Sequence, residues 1–133
     1  MTIEEQLKAH IEGAYAVDAE WGKSDCTPWA GEWLELRTGR KIEWPVQWST
    51  QDEAMSIIGR AGSLVSLWDD YLFGFGLSQT GFPALGDIGV VDTGRIGQVG
   101  GIFLAGGYFV WRIKRGVMMI QPREIAGAWS IPR

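Results

Sequence analysis

Residues 86–131 read GDIGVVDTGRIGQVGGIFLAGGYFVWRIKRGVMMIQPREIAGAWSI, and their rhythm decides the fold. Short apolar runs alternate with glycine-rich breaks: Asp87 to Val91, Gln98 to Leu104, Tyr108 to Ile113, Val117 to Gln121 and Ala128 to Ile131. None of these runs is long enough for a globular helix, and Val, Ile, Phe and Trp favour a pleated surface, so five strands are expected. Gly106-Gly107 and Arg115-Gly116 stand where tight turns are needed, because glycine reaches positive φ without a steric cost. The strands are expected to be antiparallel.

Upstream of Gly86 the period changes to that of helices. Thr2 and Glu5 form a capping box for a helix carrying Ile3, Leu7, Ile11, Ala14 and Val17 on one face, expected to run to about Ala19. Asp25 can cap a second helix with Pro28 in its first turn, Trp29, Ala30, Trp33 and Leu34 on one face and Gly39 just past its end. Arg40 to Ser49, with Trp44-Pro45 and Trp48, reads as an extended loop, since the residue before proline is pushed out of the α region. Thr50 with Glu53 opens a third helix bearing Ala54, Ile57 and Ile58. Ser63 caps a fourth, in which Leu64, Leu67, Trp68, Tyr71 and Leu72 keep helical spacing until Gly74, Gly76 and Gly81 break it. Helices first and strands last predict an α+β fold, a single domain over 1–133 with 1–76 mainly helical and 86–131 mainly antiparallel strands.

Composition narrows the function. The 133 residues suit one hydrophobic core, and eight Trp make that core aromatic-heavy. Twelve Lys and Arg against sixteen Asp and Glu give a net charge of −4, which disfavours nucleic acid and anionic lipid as partners. The N-terminal stretch mixes Glu4, Glu5, Lys8 and Glu12 among its apolar residues, unlike a signal peptide, and no segment approaches the roughly 20 apolar residues of a membrane span. The protein is therefore expected to be made in a cytoplasm without a signal peptide. One Cys and one His cannot supply the three or four ligands of a zinc site, and no motif implies a cofactor. Asp69-Asp70 are adjacent on a helix and point apart, which makes them solvating acids before a cation site. Arg112, Lys114 and Arg115 read as a small basic, solvated turn at a hairpin end.

Cys26 is the sharpest chemical feature. A thiol in the first turn of a helix feels the positive end of the macrodipole, which favours the thiolate nucleophile, although the neighbouring Asp25 opposes a second negative charge. A small buried residue at a helix start fits the same pattern. Trp21-Gly22-Lys23-Ser24-Asp25-Cys26 before a helix, Leu85-Gly86-Asp87-Ile88-Gly89-Val90-Val91 at the first strand and Gly101-Ile102-Phe103-Leu104 in the second resemble the landmarks of NlpC/P60 domains, the papain-like cysteine hydrolases. The chain also resembles short phage- or prophage-encoded proteins of undefined function that keep the Asp-Cys helix start, the Gly-Asp strand and a C-terminal tryptophan, here Trp129. The resemblance implies a reduced papain-like fold with Cys26 as candidate nucleophile.

It also implies a histidine shortly before Gly-Ile, and here the chain departs. That place holds Gln98 or Val99, neither of which can take a proton from a thiol. The lone His10, on the first helix between Leu7 and Ile11, is the other candidate base. Gln98 can instead orient a substrate or complete an oxyanion hole. Trp44, Trp48, Phe73, Phe75 and Phe82 fall in expected loops or loop edges and together form a candidate contact surface.

The resemblance thus implies a phage tail-associated NlpC/P60-like protein, a structural or binding part of a tail tip with a degenerate site, assembled into a virion with other tail proteins. The alternatives are an active cysteine peptidase of bacterial peptidoglycan using Cys26, and a small phage protein that inhibits a host factor.

Overall fold

The computed structural model describes residues 2–20, 26–44, 50, 52, 53, 55, 56 and 62–132. Three of its helices come first: α1 (Ile3–Gly13), α2 (Cys26–Thr38) and α3 (Leu64–Phe75). Strands β1 (Ile88–Asp92), β2 (Gln98–Phe103), β3 (Phe109–Arg112), β4 (Val117–Ile120) and β5 (Ile125–Trp129) follow and form one antiparallel sheet. The fold is α+β, N-terminal helices packed on a C-terminal antiparallel sheet.

The capping signals on the described residues act as the sequence predicts; Asp25, the expected cap of α2, lies outside them. Thr2 Oγ1 accepts from the Glu5 N–H at 3.1 Å and donates to the Glu5 carboxylate at 3.1 Å. Ser63 accepts from the Ser66 N–H, and α3 is capped by Gly76, whose N–H donates to the Leu72 and Phe73 carbonyls and whose φ of +97° turns the following Leu77 N–H back onto the Leu72 carbonyl. Thr50 accepts from the Glu53 N–H, and Asp52, Glu53, Met55 and Ser56 are helical, while Ala54, Ile57 and Ile58 lie outside the described residues.

α1 is shorter than its apolar pattern implies. It stops at Gly13 instead of near Ala19, and Val17, placed by periodicity on the buried face, is 61% exposed. The cause is tertiary: Arg112 at the end of β3 donates from Nη1 to the Ala14 carbonyl and from Nη2 to the Val17 carbonyl at 2.6 Å, while Arg115 takes those of Tyr15 and Ala16. Four carbonyls that would have continued or frayed from the helix are held by two guanidinium groups instead.

Strand order is β4-β3-β2-β1-β5. The first four strands run as a hairpin meander, but β5 returns across the sheet to pair with β1, with Trp129 opposite Ile88. β5 begins at Ile125, three residues before the apolar run starting at Ala128. Pleat alternation sends Ile88, Val90, Ile102, Val110 and Trp129 into a core shared with Leu7 of α1, Trp29, Ala30, Trp33 and Leu34 of α2, and Leu67, Trp68 and Leu72 of α3. Trp33, Trp68 and Trp129 are among its fully buried side chains, each large enough that truncation to Ala would cost about 3–5 kcal/mol. Gly100 of β2 lies under the Trp68 ring, where a Cβ would overlap the indole. The opposite pleat carries a second buried cluster of Val91, Val99, Phe103, Phe109, Trp111 and Ala128. Burial of both pleats in β1, β2 and β3 explains why these strands are nearly continuous apolar runs, while β4 and the start of β5 are largely exposed.

No helix among the described residues is long and apolar enough to cross a membrane.

Candidate active site around Cys26 and His10

Cys26 is the first residue of α2 and is half-buried, with its side chain packed against the second cluster. Asp25 and the rest of Trp21 to Asp25 lie outside the described residues. The helix-start position expected from the sequence is therefore observed, and the surroundings that the thiol meets on the sheet side are apolar. Apolar burial favours the thiol and the macrodipole favours the thiolate, so neither alone marks a catalytic cysteine.

Neither position at the start of β2 provides a base. Val99, 7% exposed, belongs to that same apolar cluster. Gln98 is opposite Asp92 in the β1–β2 ladder, and its Oε1 accepts from the Val65 N–H at 3.1 Å. This bond serves a first-turn donor of α3 that Ser63, occupied with Ser66, leaves open. Gln98 thus joins sheet to helix, a role that its position in the sequence did not disclose.

His10 meets α2 one turn beyond Cys26. Its Nε2 lies 3.0 Å from the Trp29 carbonyl, its ring stacks on Trp29 at 4.7 Å and 15°, and Trp33 is 6.0 Å away. A carbonyl only accepts, so this contact assigns the proton to Nε2 and leaves Nδ1 as the acceptor. Trp29 is three residues past Cys26, about 4.5 Å along the helix axis at 1.5 Å per residue. The imidazole is beside the second turn of α2, not at its first residue. Burial pushes the His10 pKa below its usual value, the Trp29 carbonyl pulls the other way, and the charge of Arg112 adds to the depression. His10 is kept neutral as a packed ring between two helices.

The same face holds a constellation that sequence reading misplaced. A pocket of about 260 Å³ is lined by His10, Gly13, Ala14, Trp29, Glu32 and Arg112, among others. Arg112, read from sequence as part of a solvated turn, is buried at 4% exposure. Its burial lowers its pKa, with Glu32 and Asp18 opposing that shift and Arg115 adding to it. Glu32 is shifted upward by burial and by Glu35, against the pull of Arg112. A signal for Arg112 was available: it lies two residues after the inward-facing Val110 in a strand, hence on the same pleat. Lys114 is exposed as expected, and Arg115 is exposed but tied to Asp18 at 3.1 Å.

The Gly-Asp motif proves to be a latch. Asp87, 1% exposed, accepts from the Ala84 N–H at 2.8 Å and the Ile131 N–H at 3.1 Å, and Trp33 Nε1 donates to the Gly86 carbonyl at 2.8 Å. One dipeptide thereby binds α2, the approach to β1 and the C-terminal tail.

The aromatic set divides. Trp44 packs on Trp68 at 5.1 Å and Tyr71 at 4.9 Å and so belongs to the main core, correcting its reading as a loop contact residue. Phe75 is half-buried beneath the Arg40 guanidinium at 3.7 Å. Phe73 and Phe82 are 84% and 93% exposed, and Trp48 lies outside the described residues. A broad pocket of about 630 Å³ opens beside Phe75 and Tyr71, rimmed by Arg40, Lys41, Glu43 and Asp70. Asp69 turns from its neighbour Asp70 to accept from Gln79 at 2.8 Å, so the two acids diverge. Among the described residues no group of three His, Cys, Asp or Glu side chains could hold a metal ion.

Residues 1–131 match the family described as a domain of unknown function, DUF6950, and the chain belongs to that family. No curated protein matches it.

Proposed function

We propose that this DUF6950 domain works by binding, as an NlpC/P60-like structural component of a phage tail tip whose cysteine site has lost its base. The observation that supports this reading is that the two positions at the start of β2 hold Gln98 and Val99, which cannot act as bases, and that His10 packs beside the second turn of α2 instead of at its first residue. Gln98 holds the first turn of α3, Val99 is buried among apolar side chains, and His10 is stacked on Trp29 with its Nε2 at the Trp29 carbonyl. A thiol that must be deprotonated, and a leaving amine that must be protonated, both need a titrating group at hydrogen-bond distance. Loss of one such member lowers hydrolysis by several powers of ten. The exposed Phe73 and Phe82 are the surface groups most suited to anchoring a neighbouring protein. The tail setting rests on the likeness to short phage-encoded proteins.

The pH dependence of Cys26 alkylation by iodoacetamide, in the native chain and in His10→Ala, tests the catalytic half of this proposal. Binding without catalysis predicts the same thiol titration in both proteins, near the ordinary value of roughly 8.5 or above, and no cleavage of muropeptides. A thiol that reacts well below that pH, loses the reactivity in His10→Ala and cuts muropeptides would establish the competing reading, a cysteine peptidase of the cell wall. In particles of a phage that encodes the chain, the protein should be found in the tail fraction; expression without incorporation into virions contradicts the tail assignment.

A further inference from the structure

Polar groups around the pocket between α1 and α2 are left unmatched inside the protein. The pocket encloses about 260 Å³, with Arg112, Trp29 and Ala14 buried at its floor and His10, Gly13 and Glu32 toward its mouth. Arg112 donates to the carbonyls of Ala14, Gly116 and Val17. A guanidinium carries five N–H groups, so at least two remain, and Nε is one of them, buried and without a partner among the described residues. Glu32 is exposed, and among the described residues its carboxylate has no hydrogen bond or ion pair, not even with Arg112. His10 places its Nε2 proton on the Trp29 carbonyl and so keeps Nδ1 as an acceptor.

Spare donors at the floor and spare acceptors above them define the polarity of a ligand. The two charges act across the pocket: Arg112 adds to the lowering of the His10 pKa and opposes the upward shift of Glu32. A simple cation would meet the guanidinium, and a simple anion the carboxylate. A molecule bearing both signs meets each with its opposite. The rest of the lining is apolar, for Ala9, Gly13, Ala14 and Val17 bring no polar side-chain atom. The space is smaller than the roughly 300–1,000 Å³ of drug-sized pockets, which suits a small metabolite.

We propose that this pocket binds a free α-amino acid with an apolar side chain, its carboxylate toward Arg112 and its ammonium between the Glu32 carboxylate and His10 Nδ1. Arginine is the residue best shaped to hold a carboxylate, and the bond to it is charge-assisted. The apolar side chain of the ligand rests along Ala9, Gly13 and Val17. A charged side chain would find no further partner there. The proposal stands apart from the reading of Cys26, which packs against the second buried cluster and is not part of the pocket lining.

Titration of the full chain with L-leucine, L-valine and L-alanine, followed by amide NMR, tests the site. The Gly13 and Ala14 amides and the Arg112 Nε–H should shift together and saturate. Isocaproate, which is leucine without its ammonium, and isoamylamine, which is leucine without its carboxylate, should each bind about tenfold more weakly than leucine. Gly13→Leu should abolish binding and leave every charge in place. No atom lies within 4 Å of the added Cβ, so the helix accepts it, and a leucine in a helix leans back over the preceding turn, here Ala9 and His10. Glu32→Gln should weaken leucine about three- to fivefold and leave isocaproate no weaker. Circular dichroism checks that both variants are folded, and Glu32→Gln decides the matter if Gly13→Leu is not. Absence of saturable shifts at this pocket with all three amino acids, isocaproate or isoamylamine binding as tightly as leucine, or unchanged leucine binding in either folded variant would each overturn the proposal.

Discussion

Replacing Arg112 by Met should detach the N-terminal segment from the sheet. The guanidinium is buried and donates to the carbonyls of Ala14, Val17 and, at 3.3 Å, Gly116. Hydrogen bonds to a charged group contribute about 1.5–3 kcal/mol each, and two of these are short. Two effects offset the loss. The Ala14 carbonyl keeps the Gly116 N–H at 2.8 Å, and the variant no longer buries a charge whose Nε has no partner among the described residues. Met also keeps most of the apolar stem. The Val17 carbonyl is the group left bare. The net cost should be about 2–4 kcal/mol, which for a domain of this size lowers Tm by about 10 °C. Urea unfolding followed by Trp fluorescence, with amide exchange over residues 14–17, measures both the energy and its location. Lys114→Met, on the same hairpin but exposed, should stay within about 0.5 kcal/mol of the native chain. A loss below about 1 kcal/mol for Arg112→Met, with the amides of α1 still protected, would refute the assignment of Arg112 as the anchor.

His10 gives a pH dependence of definite sign. Its folded-state pKa is lowered from 6.5, so the unfolded chain binds the proton first. The His10 contribution is fully present above that value, is lost as pH falls from 6.5 to the folded-state pKa, and is flat below it. Glu32, raised from 4.5, acts with the opposite sign, contributing most below 4.5 and less as pH rises through its folded value. The difference between the native chain and His10→Gln isolates the histidine; parallel stability–pH curves below 6.5 would refute it. Gly100→Ala should cost about 1–3 kcal/mol, since the new methyl must displace the buried Trp68 ring, and an unchanged urea midpoint would contradict that packing. Asp87→Asn substitutes an amide for a carboxylate that accepts two backbone N–H groups and should lose about 1–3 kcal/mol, read from the same unfolding curves. A neutral result would show that the latch does not hold the C-terminal tail.

Local chemistry carried much of the fold in the sequence itself. Thr2, Ser63 and Gly76 bound their helices by hydrogen bonds reaching only a few residues, so their roles are written in neighbouring letters. The five apolar runs announced five strands, and the breaks at Gly106-Gly107 and Arg115-Gly116 announced the β2–β3 and β3–β4 hairpins, because strand length and turn geometry are also short-range properties. Cys26 at the start of α2 followed from the same kind of signal.

What the tertiary structure alone decided involves groups far apart in the chain. Where β5 pairs depends on which side of β1 can bury Trp129 against Trp68, a choice between two edges that local pattern does not contain. Arg112 ends α1 across 98 residues of sequence, and the contact exchanged a helical continuation for carbonyl bonds to a buried cation. His10 is committed to Trp29, Gln98 to Val65, and Trp44 to Trp68, each by a partner on another element. Residue types and periods determine which elements form and which faces are apolar. Whether a given imidazole, amide or indole is available for chemistry depends on the one packing that satisfies all buried polar groups at once, and that is settled only when the elements meet.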